Sequence, residues 1–347
     1  MRRSFATSSK IIFSGIQPSG IPHIGNYFGA LKNWVDEQKE GQYKRCYFGI
    51  MSYHALTSSP DPQTLRDNIN NAFLSLLACG LEPNDKTVLF IQSDNAYHCE
   101  LSWILENNVN INRLLRMHQF KEKTARAMAK GRKEDVFANI LGLLSYPVLM
   151  AADIMMYNAT HVPVGEDQIQ HVEIARDIID HFNHKYNVNF NLPIAEVFEA
   201  KRIMSLSDGT KKMSKSAQSQ FSNISIIDKP ERIRECIKRA KTDSIPGLSL
   251  EKEKRPEVYN LLTLMAAATD TSIEKVYDEY KDQPMSVFKP ALADALIAVL
   301  SPIRKRFEEL SEDQEYVRSI MAEGAEKSIE EARERMVLIK TVMGLLG

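Results

Sequence analysis

Cysteine is scarce and scattered in this sequence. Cys46, Cys79, Cys99 and Cys236 are the only four, and no pair of them has a CxxC or other metal-ligand spacing. A zinc module or a disulfide framework is thereby excluded as the organising device, which leaves free, partly buried thiols. His181 and His184 stand in an H-x-x-H spacing without a third ligand type nearby. They read as surface histidines late in a helix rather than a metal site, so no resident metal is expected. Net charge is nearly absent as well, with 44 Lys and Arg against 45 Asp and Glu. A general basic coat for nucleic acid is excluded, and any such contact must be a local patch. No apolar run approaches the ~18 residues that would span a bilayer, so no membrane association is expected. What remains is ordinary globular composition, 44% hydrophobic and 26% charged, in a 347-residue chain. That length suits roughly two domains.

The first ten residues lack acid and lack a secretory apolar core. Met1–Lys10 carries Arg-Arg-Ser-Phe-Ala-Thr-Ser-Ser, the composition of a mitochondrial transit peptide. The alternative is a frayed tail on a cytoplasmic protein. Mitochondrial import is the expectation, and residues 1–10 are set apart from the fold.

Ile11–Ile16 is a short apolar run ending in a Gln-Pro-Ser-Gly turn, and a helix follows from about Asn26. Cys46–Met51 and Thr87–Gln92 repeat the strand pattern, with a helix over Thr64–Ala78 between them. Strands alternating with helices predict a Rossmann-type α/β fold, a doubly wound parallel sheet over residues 11–222. A helical insertion is expected over about 100–157. Within it Lys121–Asp135 is basic and glycine-broken, a solvated linker or a surface for nucleic-acid phosphates. Thr160–Val164 reads as a further strand, and a long helix runs on to about Tyr186. Residues 223–347 read as an all-helical domain, opened by a helix that Asp228 caps near Pro230 and closed by one over Ser328–Met343. Arg232, Arg234, Lys238, Arg239 and Lys241 make that helix basic, a solvent face or a nucleic-acid contact.

Two stretches carry the chemistry. Gly209–Ser216 packs three lysines and three hydroxyls behind a glycine, too polar for anything but a loop, and such a loop is either a solvated turn or an anion site. Leu141–Met156 is strongly apolar yet contains Asp153. A buried carboxylate needs a donor, so Asp153 either points to solvent or meets one.

Six blocks, in order, carry a resemblance: Phe13–Gly20, His23–Asn26, Leu149–Ile154, Val162–Gln168, Arg202–Leu206 and Lys212–Ser216. Together they resemble the tryptophanyl-tRNA synthetases, and Lys-Met-Ser-Lys-Ser matches the lysine loop of class I aminoacyl-tRNA synthetases letter for letter. The resemblance implies a class I catalytic domain, a helical anticodon-side domain, a homodimer, Mg²⁺ with ATP, L-tryptophan and tRNA(Trp). Asn26 stands where the wider class has a second histidine, and Lys121–Asp135 is longer than the corresponding bacterial-type segment.

For the reaction, the tryptophan carboxylate is already ionised and needs no general base when it attacks the α-phosphorus of ATP. Positioning and neutralisation of departing pyrophosphate are the work to be done. Lys212, Ser214, Lys215, His23 and Asn26 supply cations and donors; by resemblance Lys123 also reaches the phosphates. Gly15 and Gly25 admit the nucleotide close to the backbone. The resemblance adds Gly165, Asp167 and Met213 to the ATP site, Asp167 at the ribose. Indole offers one N–H donor and no acceptor. Asp153 would accept from it, while Phe13, Met150, Val162 and Val164 wall the ring. By resemblance Gln17, Tyr146 and Gln168 hold the ammonium and carboxylate ends. His54 is either part of this pocket or a strand-end histidine. A tyrosine-specific relative would need groups that both donate to and accept from a phenol. A small nucleotidyltransferase would not need the helical domain, and a non-catalytic binding descendant would have lost a loop lysine or the histidine; neither is lost.

Overall fold

The computed structural model describes residues 10–129, 140–197, 202–215 and 219–346. Residues 1–9 of the expected 1–10 leader, residues 130–135 of the basic segment, and Ser216 lie outside the described residues; Lys10 itself belongs to the fold, its ammonium pairing with Glu37 at 2.7 Å and Glu196 at 3.1 Å.

Five strands form one parallel sheet: β1 (Ile11–Ile16), β2 (Arg45–Ile50), β3 (Thr87–Ile91), β4 (His161–Pro163) and β5 (Ile194–Glu196). Their order is β3-β2-β1-β4-β5. The chain leaves β1 first toward β2 and β3 and later toward β4, so the winding reverses between β1 and β4. A crevice outside the carboxyl ends of the strands opens where a doubly wound sheet reverses. Ser14 at that junction donates from Oγ to the Pro163 carbonyl, 3.0 Å away, joining β1 to β4.

The sheet is surrounded by α1 (Ile24–Asn26), α2 (Lys32–Glu40), α3 (Ser52–Ala55), α4 (Pro62–Ala78), α5 (Tyr97–Glu106), α6 (Ile111–Leu114), α7 (His118–Ala129), α8 (Ile140–Met156) and α9 (Ile169–Tyr186). A π-helical turn, Tyr27–Leu31, joins α1 to α2. Asp61 caps α4 by accepting from the Thr64 amide at 3.0 Å, one turn ahead of the expected start, with Pro62 at the first helical position. The last third holds α10 (Pro230–Arg239), α11 (Pro256–Ala268), α12 (Ile273–Tyr280), α13 (Met285–Glu312) and α14 (Gln314–Val342).

Alternation along the strands divides the core in two. Ile12, Cys46, Phe48, Ile50, Leu89 and Ile91 point to one face of the sheet and pack with α2, α4 and the helices of the last third. Phe13, Tyr47, Val88 and Phe90 point to the other, among residues of α5, α8 and α9. Helix α13 is long and apolar enough, by length and composition, to cross a membrane. Its stripe of Phe288, Leu292, Leu296, Leu300, Ile303, Phe307 and Leu310 is buried in the first core, as in a core helix of a globular protein.

Helix α14 starts well before the expected Ser328 and returns to the sheet. Ala332, Met336 and Ile339 complete the second core beside Phe13 and Tyr47. A side chain at Gly324 would collide with the Leu89 backbone, its Cβ only 1.9 Å from the carbonyl oxygen. The helix can lie this close to β3 only because that position is glycine.

The lysine-rich stretch is only partly a loop. Asp208–Lys212 is strand β7, antiparallel to β6 (Met204–Ser205), and the loop proper begins at Met213. Two residues are too few to betray β6 by alternation, and Asn260 holds it from outside, its amide bonding the Met204 amide and carbonyl at 2.8 and 3.0 Å. Gly209 is required by packing, since a Cβ there would lie 2.5 Å from the Glu257 amide nitrogen in α11. Asp228 does not cap α10, which starts at Lys229 without a side-chain cap. It accepts instead from the Ser225 amide at 2.8 Å and from Arg232 Nε at 3.1 Å. Most of the basic group on α10 is paired: Arg232 with Asp228, Arg234 with Asp294, Arg239 with Glu235 and Lys241 with Glu257.

Candidate active site

A cavity of about 630 Å³ opens outside the carboxyl ends of β1 and β4. Its lining includes Phe13, Gln17, Tyr146, Met150, Asp153, Val162, Val164 and Gln168, the whole set expected from the sequence to hold an amino acid. Gly15 lines it as well, and a Cβ there would overlap the Met51 side chain at 2.6 Å. Ser14, Met51, Thr57, His118, Gln119, Glu122 and Pro163 complete the wall, and none of these was expected.

Asp153 is buried, not on a solvent face. Its Oδ1 accepts from Gln92 Nε2 at 2.8 Å and pairs with His98 Nδ1 at 2.7 Å, while Oδ2 pairs with His54 Nε2 at 2.8 Å. Burial by itself would raise its pKa, but the hydrogen bonds from His54 and His98 outweigh this and hold the carboxyl below the usual carboxylate range. His54 is therefore part of the site. It sits on α3 just after β2, with its ring centroid 6.2 Å from that of Tyr146. Tyr146 in turn donates to Gln119 Oε1 at 2.9 Å and meets His171 Nε2 of α9.

The second cluster forms where the lysine loop meets the first turn. His23 and Asn26 make a reciprocal cap: the Asn26 amide donates to His23 Nδ1 at 3.2 Å, and the His23 amide donates to Asn26 Oδ1 at 3.1 Å. Asn26 can therefore be an asparagine for a structural reason, since its carbonyl oxygen closes the turn. The Ile24 amide bonds the Ile224 carbonyl at 2.9 Å, which fixes this turn against the segment after the lysine loop. Burial and the neighbouring Lys215 and Lys212 charges lower the His23 pKa from 6.5 to about 4. The imidazole is neutral at physiological pH.

Lys215 crosses to the Gln17–Gly20 turn, where Nζ donates to the Gly20 carbonyl at 2.6 Å and to Ser19 O and Oγ at 3.3 Å each. Crowding in that cleft lowers its pKa to about 8, although the side chain still meets solvent. The Ser214 carbonyl accepts from Asn223 Nδ2 at 3.0 Å. Lys212 ends β7 and is exposed. Met213 is buried in the first core and is absent from the cavity wall; its Cβ lies 3.5 Å from where a Gly25 side chain would begin. A Gly25 Cβ would also press on the His23 ring at 2.9 Å. Gly165 leads the 3-10 turn Glu166–Gln168 at the end of β4. The side chains of Asp167 and Lys123 lie outside the described residues.

His181 and His184 lie late in α9; the latter is exposed and bonded through Nδ1 to the Asp180 carbonyl at 2.8 Å. No group of three or more potential metal ligands occurs among the described residues.

The cavity thus joins one buried acceptor to an apolar wall, and the lysine loop is bonded to the turn that carries Gln17 into that wall. Comparison with known proteins gives the same direction. The family model for class I tRNA synthetases (W and Y) matches residues 6–301. A tryptophan–tRNA ligase of Thermosynechococcus vestitus is 43% identical over 338 residues, covering 96% of this chain and 99% of its own length. One of Rickettsia conorii is 42% identical over 340 residues, with 97% and 99% covered. Among solved structures, tryptophanyl-tRNA synthetase from Mycoplasma pneumoniae is similar with a TM-score of 0.84 at 31% identity, covering 98% of each chain. The Campylobacter jejuni enzyme complexed with ADP and tryptophan is similar with a TM-score of 0.78 at 34% identity, covering 96% of this chain and 99% of its own. Sheet order, cavity and near-full-length likeness together mean that the chain belongs to the class I tRNA synthetases of the W and Y family.

Proposed function

We infer that the protein is a tryptophan–tRNA ligase: it activates L-tryptophan with ATP and transfers it to tRNA(Trp). The observation that carries this reading is the cavity at the β1/β4 junction, whose one buried carboxylate, Asp153, sits among Phe13, Met150, Val162 and Val164. Indole has one donor and no acceptor, so an acceptor-only group in an apolar slot is its complement. A phenol would need a donor as well.

Gln17, Tyr146 and Gln168 on the cavity wall face the polar ends of the amino acid in this reading. The carboxylate attacks the α-phosphorus of ATP without a general base, and pyrophosphate leaves with growing charge. Lys212, Lys215 and Ser214 act on that charge; neutral His23 and the backbone around Gly25 pack against the nucleotide. A Mg²⁺ ion bound to the phosphates adds charge neutralisation when ATP is present. A terminal hydroxyl of tRNA then takes the aminoacyl group from the mixed anhydride.

A homodimer accompanies this reading. Trp103 and Leu141 are 69% and 74% exposed and, with Leu56, line a hollow beside His54 and Tyr146. A second copy is the occupant we assign to this apolar face, and Trp103→Glu would leave a monomer in sedimentation analysis. Import into mitochondria rests on the composition of residues 1–9. Deleting them would keep aminoacylation intact and strand the protein in the cytosol; a truncated form still found in mitochondria would refute import. The decisive measurement for the activity is ATP–pyrophosphate exchange across the twenty amino acids, expected to depend on tryptophan. Stronger exchange with tyrosine would overturn the specificity.

A further inference from the structure

Behind Asp153 the hydrogen bonding does not stop at the first donors. His98, on α5, is fully buried and absent from the cavity wall. Its Nδ1 is 2.7 Å from Asp153 Oδ1 and its Nε2 is 2.9 Å from the Tyr157 hydroxyl. A carboxylate only accepts, so Nδ1 carries the proton; Nε2 is then the acceptor and the Tyr157 hydroxyl the donor. A neutral imidazole satisfies both contacts, with its ring stacked on Phe90 at 5.7 Å.

Tyr157 is also buried, and its ring stacks on Phe13 at 5.8 Å and on Tyr47 at 4.3 Å. Asn95 and Ser328 are its further hydrogen-bonding neighbours, and Asn95 Nδ2 donates to the Ser328 carbonyl at 3.0 Å. Tyr47 donates to Glu331. Ser328 and Glu331 both belong to α14. An unbroken buried path therefore runs from the amino-acid cavity through α5 and the end of α8 to the last helix.

We propose that His98 and Tyr157 are positioning residues for tryptophan selection, holding the Asp153 carboxylate so that Oδ2 accepts the indole N–H, and coupling that orientation to α14. The count of acceptor sites supports this assignment. Oδ1 already takes two bonds, from Gln92 and His98, whereas Oδ2 takes one, from His54. The open capacity is on Oδ2. Without the Tyr157 hydroxyl, His98 Nε2 has no donor in a dry site. The bond to Asp153 is then the imidazole's remaining anchor, and the carboxylate loses the fixed ring that sets its orientation. This proposal rests on Asp153 as the indole acceptor, and the test separates the two.

The probe is the tryptophan analogue in which sulfur replaces the indole N–H. Tyr157→Phe keeps both ring stacks and removes only the hydroxyl. It is expected to raise KM for tryptophan roughly 3- to 10-fold, the worth of one neutral hydrogen bond. KM for the sulfur analogue and for ATP should stay within about twofold. His98→Gln can still donate and accept and should retain most of the preference for tryptophan; His98→Leu should lose it. A packing role alone would raise KM for both amino acids together, and that result overturns the proposal, as does no change for either. Asp153→Ala is measured alongside. If it leaves the tryptophan-to-analogue ratio at the wild-type value, the acceptor reading itself fails. If it collapses the ratio while Tyr157→Phe and His98→Leu keep it, only the positioning proposal fails.

Discussion

Lys215 Nζ lies 2.6 Å from the carbonyl oxygen of Gly20, 195 residues earlier in the chain. Among the described residues the acceptors that hold this ammonium, Gly20 O, Ser19 O and Ser19 Oγ, are uncharged. The charge is thus parked on neutral groups beside the nucleotide turn and can be transferred to phosphate oxygens without breaking an ion pair. Lys215→Ala should slow adenylate formation on the order of 10² while changing tryptophan binding little. Single-turnover kinetics would check this, and an unchanged rate would remove Lys215 from the mechanism.

His23 makes stability depend on pH. Its folded pKa of about 4 lies below the ordinary 6.5, so between these values the folded protein binds fewer protons than the unfolded chain. Its contribution is complete above pH 6.5 and is lost as pH falls through 4. The loss is on the order of a few kcal/mol across that window. His23→Asn keeps a capping acceptor and removes the titration. Thermal melts of the two proteins should converge in slope above pH 6.5 and diverge below it.

Asp153→Ala should cost about 10- to 150-fold in kcat/KM for tryptophan, the range for a hydrogen bond to a charged group. Asp153→Asn should be milder, because its carbonyl can still accept. Tyrosine should be a poor substrate of the wild type and gain little from either change. Normal tryptophan kinetics in Asp153→Ala would refute the assigned role. Stability needs separate measurement, since removing Asp153 strands His54, His98 and Gln92 in the interior.

Gly324→Ala tests the docking of α14. A methyl group cannot share space with the Leu89 carbonyl, so either the helix shifts or the strand does. Overpacking of this kind costs about 1–3 kcal/mol or more. The melting temperature should drop, and hydrogen exchange should rise along β3 before it rises in α4. A variant as stable as the parent would mean that α14 moves freely on the sheet.

Phe13, Met150, Asp153, Val162 and Val164 were legible because they sit at strand ends or within a long apolar run, and Gln17, Tyr146 and Gln168 because of the family resemblance. Gln92 and His98 were not. Gln92 closes an apolar strand and His98 precedes the point where a helix could be read, and each meets Asp153 only across 61 and 55 residues. Such convergence leaves no local trace. Helix α14 was read too short for another reason: its sheet-facing residues include Gly324, Ser328 and Ala332. A stripe of large apolar residues announces a buried face, whereas a stripe of small ones looks like a solvated helix until the neighbour is known. The reading of Gly209 as the start of a turn failed similarly, because what excludes a side chain there is the backbone of Glu257.

The close seat of α14 on β3 has a consequence for synthesis. The lysine loop and every residue of the cavity wall leave the ribosome before Gln314 is made, yet Val88 and Phe90 remain without their final cover until α14 arrives. A nascent chain therefore holds all the groups of the site before it holds the brace that sets them. Translation that stops short of α14 would release a product with an open apolar sheet face, a target for chaperones and proteases instead of a partly active enzyme.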